Sequence, residues 1–383
     1  MRAATSALVL ALLSFASVTA HAQADDWTYE YFGYRFGLFT QQGRGLQSRG
    51  ALDSASPGSE DTLILQNILA FQLRQDRNAV HNLAIPVDVV SAASTDALDA
   101  ISTASRETEA VSVDYLLTLR DNEHTTYQLR LRPHYEEHWV AESVGGAVIH
   151  SFADDNAVFR AGVELTLDSF DWIGPSGNRI REYVNRFTAA FYTGISQLLS
   201  PTTIVSALYT FTGQFGYLET TFNSVPAEQG GRMAERLPRQ RGRHSISGEL
   251  RQAILETGTY LALSYRFYAD SFQASAHSAQ ATVTQEIGDF WLRGHYRFHY
   301  QNAPWFWMEV APSDMPAWAP RTADSDLATL HAQELGLTAR WFFERRGALT
   351  ARSSFVQLGY LYYWRSNSLD IHLASAELGI GFQ

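Results

Sequence analysis

The chain of 383 residues carries 40 acidic and 29 basic side chains, a net charge of −11, and no cysteine. That balance excludes a nucleic-acid binder, which selects basic stripes, and the missing thiols exclude thiolate metal centres and cysteine nucleophiles. Aromatic residues reach 13% beside a slightly negative mean hydropathy. Every basic residue is arginine, a side chain suited to bidentate phosphate contacts such as those of lipopolysaccharide, although codon bias accounts for it as well.

The first element in chain order is a processing signal. Arg2 precedes an apolar run from Ala7 to Ala20, and Ala20-His21-Ala22 forms an A-x-A cleavage site. Residues 1–22 therefore read as a secretory signal peptide and 23–383 as the mature chain. No later stretch approaches the roughly 18 consecutive apolar residues of a spanning helix.

Alternating apolarity then predicts strands at 27–40, 61–75, 79–91, 107–119, 124–137, 141–152, 157–170, 181–198, 201–218, 242–254, 258–270, 274–286, 290–301, 328–343, 354–366 and 370–382. Strands of globular domains run to about five or six residues; these are longer and suit tilted membrane strands of roughly ten or more. The second, Leu63 to Gln75, alternates least well.

The connections fall into two classes. Even-numbered strands end in short turns at Gln75–Asn78, Asp121–Glu123, Asp154–Asn156, Ser200-Pro201, Glu256–Gly258 and Gly288-Asp289. Odd-numbered ones often end in long loops near 41–60, 92–106, 171–180, 219–241 and 302–327; the exceptions are short connections on that side near 138–140, 271–273 and 367–369, and a longer one on the short-turn side at 344–353. Barrels of the outer membrane keep that parity, with short periplasmic turns and longer external loops.

Face composition sets the orientation. Tyr127, Leu129, Leu131, Pro133 and Tyr135 alternate with Gln128, Arg130, Arg132 and His134; Phe159, Ala161, Val163, Leu165 and Leu167 lie opposite Arg160, Glu164 and Asp168. The lumen of about sixteen strands is wide enough for water, so the apolar side is expected to meet lipid and the polar side to line the interior. The predicted fold is all-β: a transmembrane antiparallel up-and-down barrel of about sixteen strands, with 14–18 allowed by the pattern. It is expected in the Gram-negative outer membrane, among lipid and lipopolysaccharide, placed there by the barrel-assembly machinery. Phe382, one residue before the end, supplies a nearly terminal aromatic.

The inferred inner wall offers a solute path at Arg130, Arg132, Arg160, Glu164, Arg266, Arg293, Arg297 and Arg340. Arginine rings favour anions, whereas a salt-bridged wall that merely satisfies itself accounts for similar numbers of each sign. His295 and His299 share a face, yet four strand residues separate them by roughly 13 Å, too far for one metal with ligand bonds of about 2 Å. In GRHSISGEL, His244 points opposite to Ser245 and Ser247, so the dyad of outer-membrane phospholipases fails. Asp154-Asp155 and Asp324…Asp326 read as turn and loop residues. No metal, cofactor or enzymatic activity is expected. Among the loops, 219–241 holds Arg232, Arg236, Arg239 and Arg241, and 302–327 holds Trp305, Trp307 and Trp318 among prolines. The second reads as a constriction folded into the mouth, as a ring-stacking surface, or as part of the outer aromatic girdle.

The stretches RLPRQRGRHSISGELRQ, LALSYRFYADSF and HSAQATVTQEIGDFWLRGHYRFHYQNAPWFW, with IPVDVVSAASTDALDAISTASRE and VDYLLTLRDNEHTTYQLRLRPHYEEHW, resemble the exported family known as domain of unknown function 3570. Residues 89–95, 243–248 and 265–271 carry its Val-Ser-x-Ala-Ser loop, Arg-His-Ser-x-Ser-Gly strand start and Tyr-Arg-Phe/Tyr-Tyr-x-Asp-Ser hairpin. The likeness covers most of 60–310. It implies an outer-membrane protein and supplies no catalytic residues. The expected function is a passive pore or solute channel with a mixed-charge lumen, or alternatively a non-conducting surface or assembly protein acting through loops 219–241 and 302–327.

Overall fold

The computed structural model describes residues 27–43, 61–91, 108–173, 179–219, 223–344 and 353–382. Residues 1–22, read above as a signal peptide, and most of the loops near 41–60 and 92–106 lie outside them. The described strands are β1 (Thr28–Gly43), β2 (Thr62–Arg74), β3 (Ala79–Ser91), β4 (Thr108–Ser112), β5 (Asp114–Arg120), β6 (Thr125–Glu136), β7 (Trp139–Phe152), β8 (Ala157–Ile173), β9 (Arg179–Ser200) and β10 (Thr203–Gly216). They continue with β11 (Ser224–Pro226), β12 (Arg232–Ala234), β13 (Gln240–Ile254), β14 (Thr259–Asp270), β15 (Ser275–Ile287), β16 (Phe290–Gln301), β17 (Leu330–Glu344), β18 (Ser354–Arg365) and β19 (Leu369–Gly381).

β4 and β5 are one stave broken at Val113, since both pair with β3 and β6. β11 and β12 form a small hairpin outside the main sheet. The rest make sixteen staves, each antiparallel to its neighbour, and β1 pairs β19 to close the ring. Closure leaves no unpaired edge. Each of the sixteen predicted segments holds one stave, the weakly alternating second included.

Two departures have local causes. The predicted loop 171–180 is shorter, because β8 runs to Ile173 and β9 begins at Arg179. Register shifts around Trp172 let that hairpin continue, and the Asp171 carboxylate holds it by accepting from His138 at 2.8 Å and Arg179 at 2.9 Å. In β1 a register shift lies between Tyr29 and Tyr31. The intervening Glu30 is buried and accepts from Arg74 at 2.6 Å and Gln72 at 2.8 Å, so the bulge tucks in a carboxylate. Gly288, with φ +57°, supplies the left-handed residue of the two-residue turn between β15 and β16.

One face of the sheet is apolar and open. Leu129, Val163 and Leu337 are 42%, 51% and 55% exposed, values that a soluble sheet reserves for polar side chains. A contiguous apolar surface of this extent marks contact with another phase or partner.

Candidate functional site: the polar wall and its cap

Directly paired residues of antiparallel strands share a face, and the register gathers the eight predicted solute-path residues on one side of the wall. Arg130 pairs with Asp114 on β5, Arg132 reaches Glu164 on β8 at 2.5 Å, and Arg297 reaches Glu334 on β17 at 2.5 Å. The other four bond neutral groups. Arg160 donates to Gln128 at 3.1 Å and lies over Tyr192; Arg266 donates to Ser245 at 2.7 Å. Arg293 donates to Thr284 at 3.1 Å, and Arg340 to Gln357 at 2.8 Å while stacking on Phe355 with its guanidinium 3.9 Å from the ring centre. Further pairs on this face are Arg186–Asp168 and Arg35–Glu377, the latter bridging the closing seam.

Along β16 the polar side reads Trp291, Arg293, His295, Arg297, His299, Gln301. Glu334 serves two of these, accepting from Arg297 and lying 2.9 Å from His295 Nε2. The imidazole sits where a side chain at Gly336 would be, for a Cβ there would stand 2.1 Å from His295 Cε1. Gly336→Ala must therefore displace the ring and break its contact with Glu334. The expected cost is about 1–3 kcal/mol, read as a lowered midpoint of heat- or urea-induced loss of the folded gel band.

A folded cap joins the long connections after β10 and β16. Leu218, Leu237, Phe272 and Phe306 form one buried cluster, and Val225, Ala311 and Ala323 a second, packed with Met233, Met308 and Met315. Backbone bridges link Ala227 to Ala311 and Arg236 to Arg321. Thr322 donates to Glu235 at 2.6 Å, and Arg321 binds the carbonyls of Ala234 and Ala319 at 2.9 and 3.0 Å. The cap is fastened to the polar face: Asp326 pairs with Arg365 of β18, and its carbonyl accepts from Gln301 of β16 at 2.7 Å. Arg241 pairs with Asp270 at 2.5 Å and covers Phe272.

Charge is costly inside the cap. Burial, with the carboxylates of Asp326 and Glu235 nearby, holds Asp324 well above the usual carboxylate range, and burial likewise raises the Tyr217 phenol. The folded Asp324 thus keeps its proton in a range where the unfolded chain has lost it. Cap stability is full at acid pH and falls as pH rises from the ordinary carboxylate value through the raised one. Asp324→Asn should remove that dependence, measured as amide exchange of 304–327 against pH; an unchanged profile would assign it to another group.

The remaining candidates separate. His244 and Ser245 lie on opposite faces, the first beside Tyr209 at 2.9 Å and the second under Arg266. Trp305 and Trp318 are exposed, at 56% and 71%, whereas the Trp307 indole is tied to the Asp324 carbonyl at 2.9 Å. The loop arginines are mostly internal ties: Arg232 to Ser224 at 2.6 Å and Arg239 to Glu219 at 3.5 Å. Asp155 accepts from Ser151 at 2.5 Å and lies 3.2 Å from His124, as a turn residue. Among the described residues no three His, Asp or Glu side chains converge on a metal-sized site. Sequence reasoning missed the anchors Asp270, Arg321 and Thr322; for Asp270 the signal was its place in the Tyr-Arg-Phe-Tyr-Ala-Asp-Ser hairpin, where it accepts from the amides of Phe272 and Ala274 at 2.9 and 3.0 Å.

Residues 111–366 match the family described as "Protein of unknown function (DUF3570)". No curated protein matches the sequence. Among solved structures, a BenF-like porin from Pseudomonas fluorescens Pf-5 is 8% identical with a TM-score of 0.46, over 94% of this chain and 99% of that one. Pseudomonas aeruginosa OpdK with vanillate is 9% identical with a TM-score of 0.45, over 94% and 99%. Pseudomonas aeruginosa OccK3 (OpdO) is 8% identical with a TM-score of 0.44, over 94% and 96%.

Proposed function

We propose that this chain, which belongs to the DUF3570 family, spans the Gram-negative outer membrane and passes small solutes through a lumen of mixed charge. The observation that carries the reading is closure: sixteen staves joined at β1–β19, with exposed apolar side chains on one face and ion-paired side chains on the other. In hydrocarbon every backbone group must find its partner within the protein, and a closed sheet with its apolar face outward satisfies that demand. The charged face then lines an interior wide enough for water. Residues 1–22 direct export, and the barrel-assembly machinery inserts the rest.

Within the lumen, Arg130, Arg132 and Arg297 are neutralised by carboxylates and keep the wall satisfied. Among the described residues Arg160, Arg266, Arg293 and Arg340 bond neutral partners, so these four are positions that attract an anionic solute. Planar-bilayer recording on refolded protein should give stepwise conductance. Silence at every voltage would favour the second reading, a non-conducting surface protein acting through 219–241 and 302–327, with Trp305, Trp307 and Trp318 as its contact residues. The interlocked cap is the observation that supports it.

A further inference from the structure

One arrangement recurs on the apolar face. The seventh residue of β1, β10, β14, β16 and β18 is a tyrosine in each case: Tyr34, Tyr209, Tyr265, Tyr296 and Tyr360. Two residues on stands an aromatic ring, Phe36, Phe211, Phe267, Phe298 or Tyr362. Directly opposite that ring, on the returning strand, is a polar residue: Asn67, His244, His277, Gln333 or His372. The phenol reaches it diagonally every time, at 2.7, 2.9, 2.7, 2.8 and 2.7 Å in that order.

Tyr34 and Tyr296 donate to a carboxamide oxygen, and the phenols of Tyr209, Tyr265 and Tyr360 stand at hydrogen-bond distance from an imidazole Nδ1. In the tautomer that accepts from the phenol, the imidazole proton sits on Nε2, and each of the five partners then offers N–H to a ligand. Among the described residues no further bond is made by Nε2 of His244, His277 or His372. The opposing aromatic steadies the imidazole, with ring centres 5.0, 5.1 and 4.8 Å apart. A contrasting pair lies near the short-turn rim, where Tyr115 bonds His81 at 2.8 Å but the second nitrogen is taken by Gln75 at 3.2 Å.

The five partners are the third to sixth residues of their strands, so they form a belt below the rim that carries the long connections. Beneath them the same face is apolar and exposed, with Leu263, Val283, Leu335 and Leu358. A row of donors above an apolar wall matches an amphiphile with an acceptor-rich anionic head and acyl chains.

We infer that this belt binds the phosphate groups of lipid A in the outer leaflet. The inference rests on the bilayer-spanning reading and concerns a surface separate from the lumen and the cap. The spacing repeats across five hairpins covering ten consecutive staves, β10 through β19 and on to β1 and β2; no such pair stands at that height on β6 to β9 among the described residues. Lipid A is therefore held on one side of the barrel.

The test uses the full-length protein in vesicles of phosphatidylcholine containing bisphosphorylated lipid A, lipid A stripped of phosphate, or phosphatidylglycerol, with bound lipid counted by native mass spectrometry. The wild type should retain bisphosphorylated lipid A over the stripped form. Replacing His244, His277 and His372 together by Leu, which suits an apolar face, should weaken that retention about tenfold, and Tyr209→Phe with Tyr265→Phe and Tyr360→Phe should weaken it less. His299→Gln, on the opposite face, should leave it unchanged, and all variants should keep the folded gel band. Equal retention of both lipid A forms, equal retention by the leucine variant, or preference for phosphatidylglycerol would overturn the inference while the barrel reading stands. A protein that enters no vesicle would overturn both.

Discussion

Replacing residues 304–327 with a short Gly-Ser linker should raise single-channel conductance several-fold and leave the folded gel band in place. The segment contributes Phe306, which is 1% exposed and stands edge-on to Phe272 at 5.0 Å, and Asp326, whose carboxylate pairs with Arg365 and whose carbonyl accepts from Gln301. Gln301 and Arg365 lie on the charged face of the wall, so the cap leans into whatever passage that face surrounds. The ladder between β16 and β17 runs from Phe290–Trp341 to Gln301–Leu330 without help from the cap, and the barrel should outlast its removal. Unchanged conductance would mean that the cap stands clear of the pore.

Glu334→Gln should produce the largest single-site change in the wall. Glu334 is the common acceptor for Arg297 and His295, and its side chain is only 11% exposed while Arg297 is 40% exposed. Removing its charge leaves two donors facing one neutral amide. Because Arg297 stays half in water, the cost is expected at about 1–2 kcal/mol, below the 3–5 of a fully buried pair. The same change leaves net positive charge at Arg297, so reversal potentials should shift toward anion selectivity. Stability loss without a selectivity shift would place Glu334 outside the conducting path.

The fold was legible because a barrel wall with one apolar and one polar face writes a period of two over a long stretch, and turns interrupt it at regular intervals. Even Leu63–Gln75, with its runs of adjacent apolar residues, was recoverable from the strands around it. Pairing partners were less legible. That Arg132 meets Glu164 rather than Asp168 depends on the register between β6, β7 and β8, to which alternation is blind. The cap was hidden for a different reason. Thr322 bonds Glu235 and Arg321 bonds Ala234 across 87 residues of sequence, and loops carry no periodic signal. The tyrosine belt lies between these cases: Tyr-x-aromatic is visible along each strand, but the partner appears only once register places His244 opposite Phe211.

The absence of cysteine from the chain permits the most direct test of the account. Single cysteines are placed along β16, at Leu292, Arg293, Tyr296, Arg297, Phe298, His299 and Tyr300 in turn, and the protein is inserted into vesicles. A membrane-impermeant thiol reagent should label Arg293→Cys, Arg297→Cys and His299→Cys and spare the other four. Labelling of Leu292→Cys, Tyr296→Cys, Phe298→Cys and Tyr300→Cys as fast as their neighbours would contradict a lipid-facing apolar wall around a wet interior.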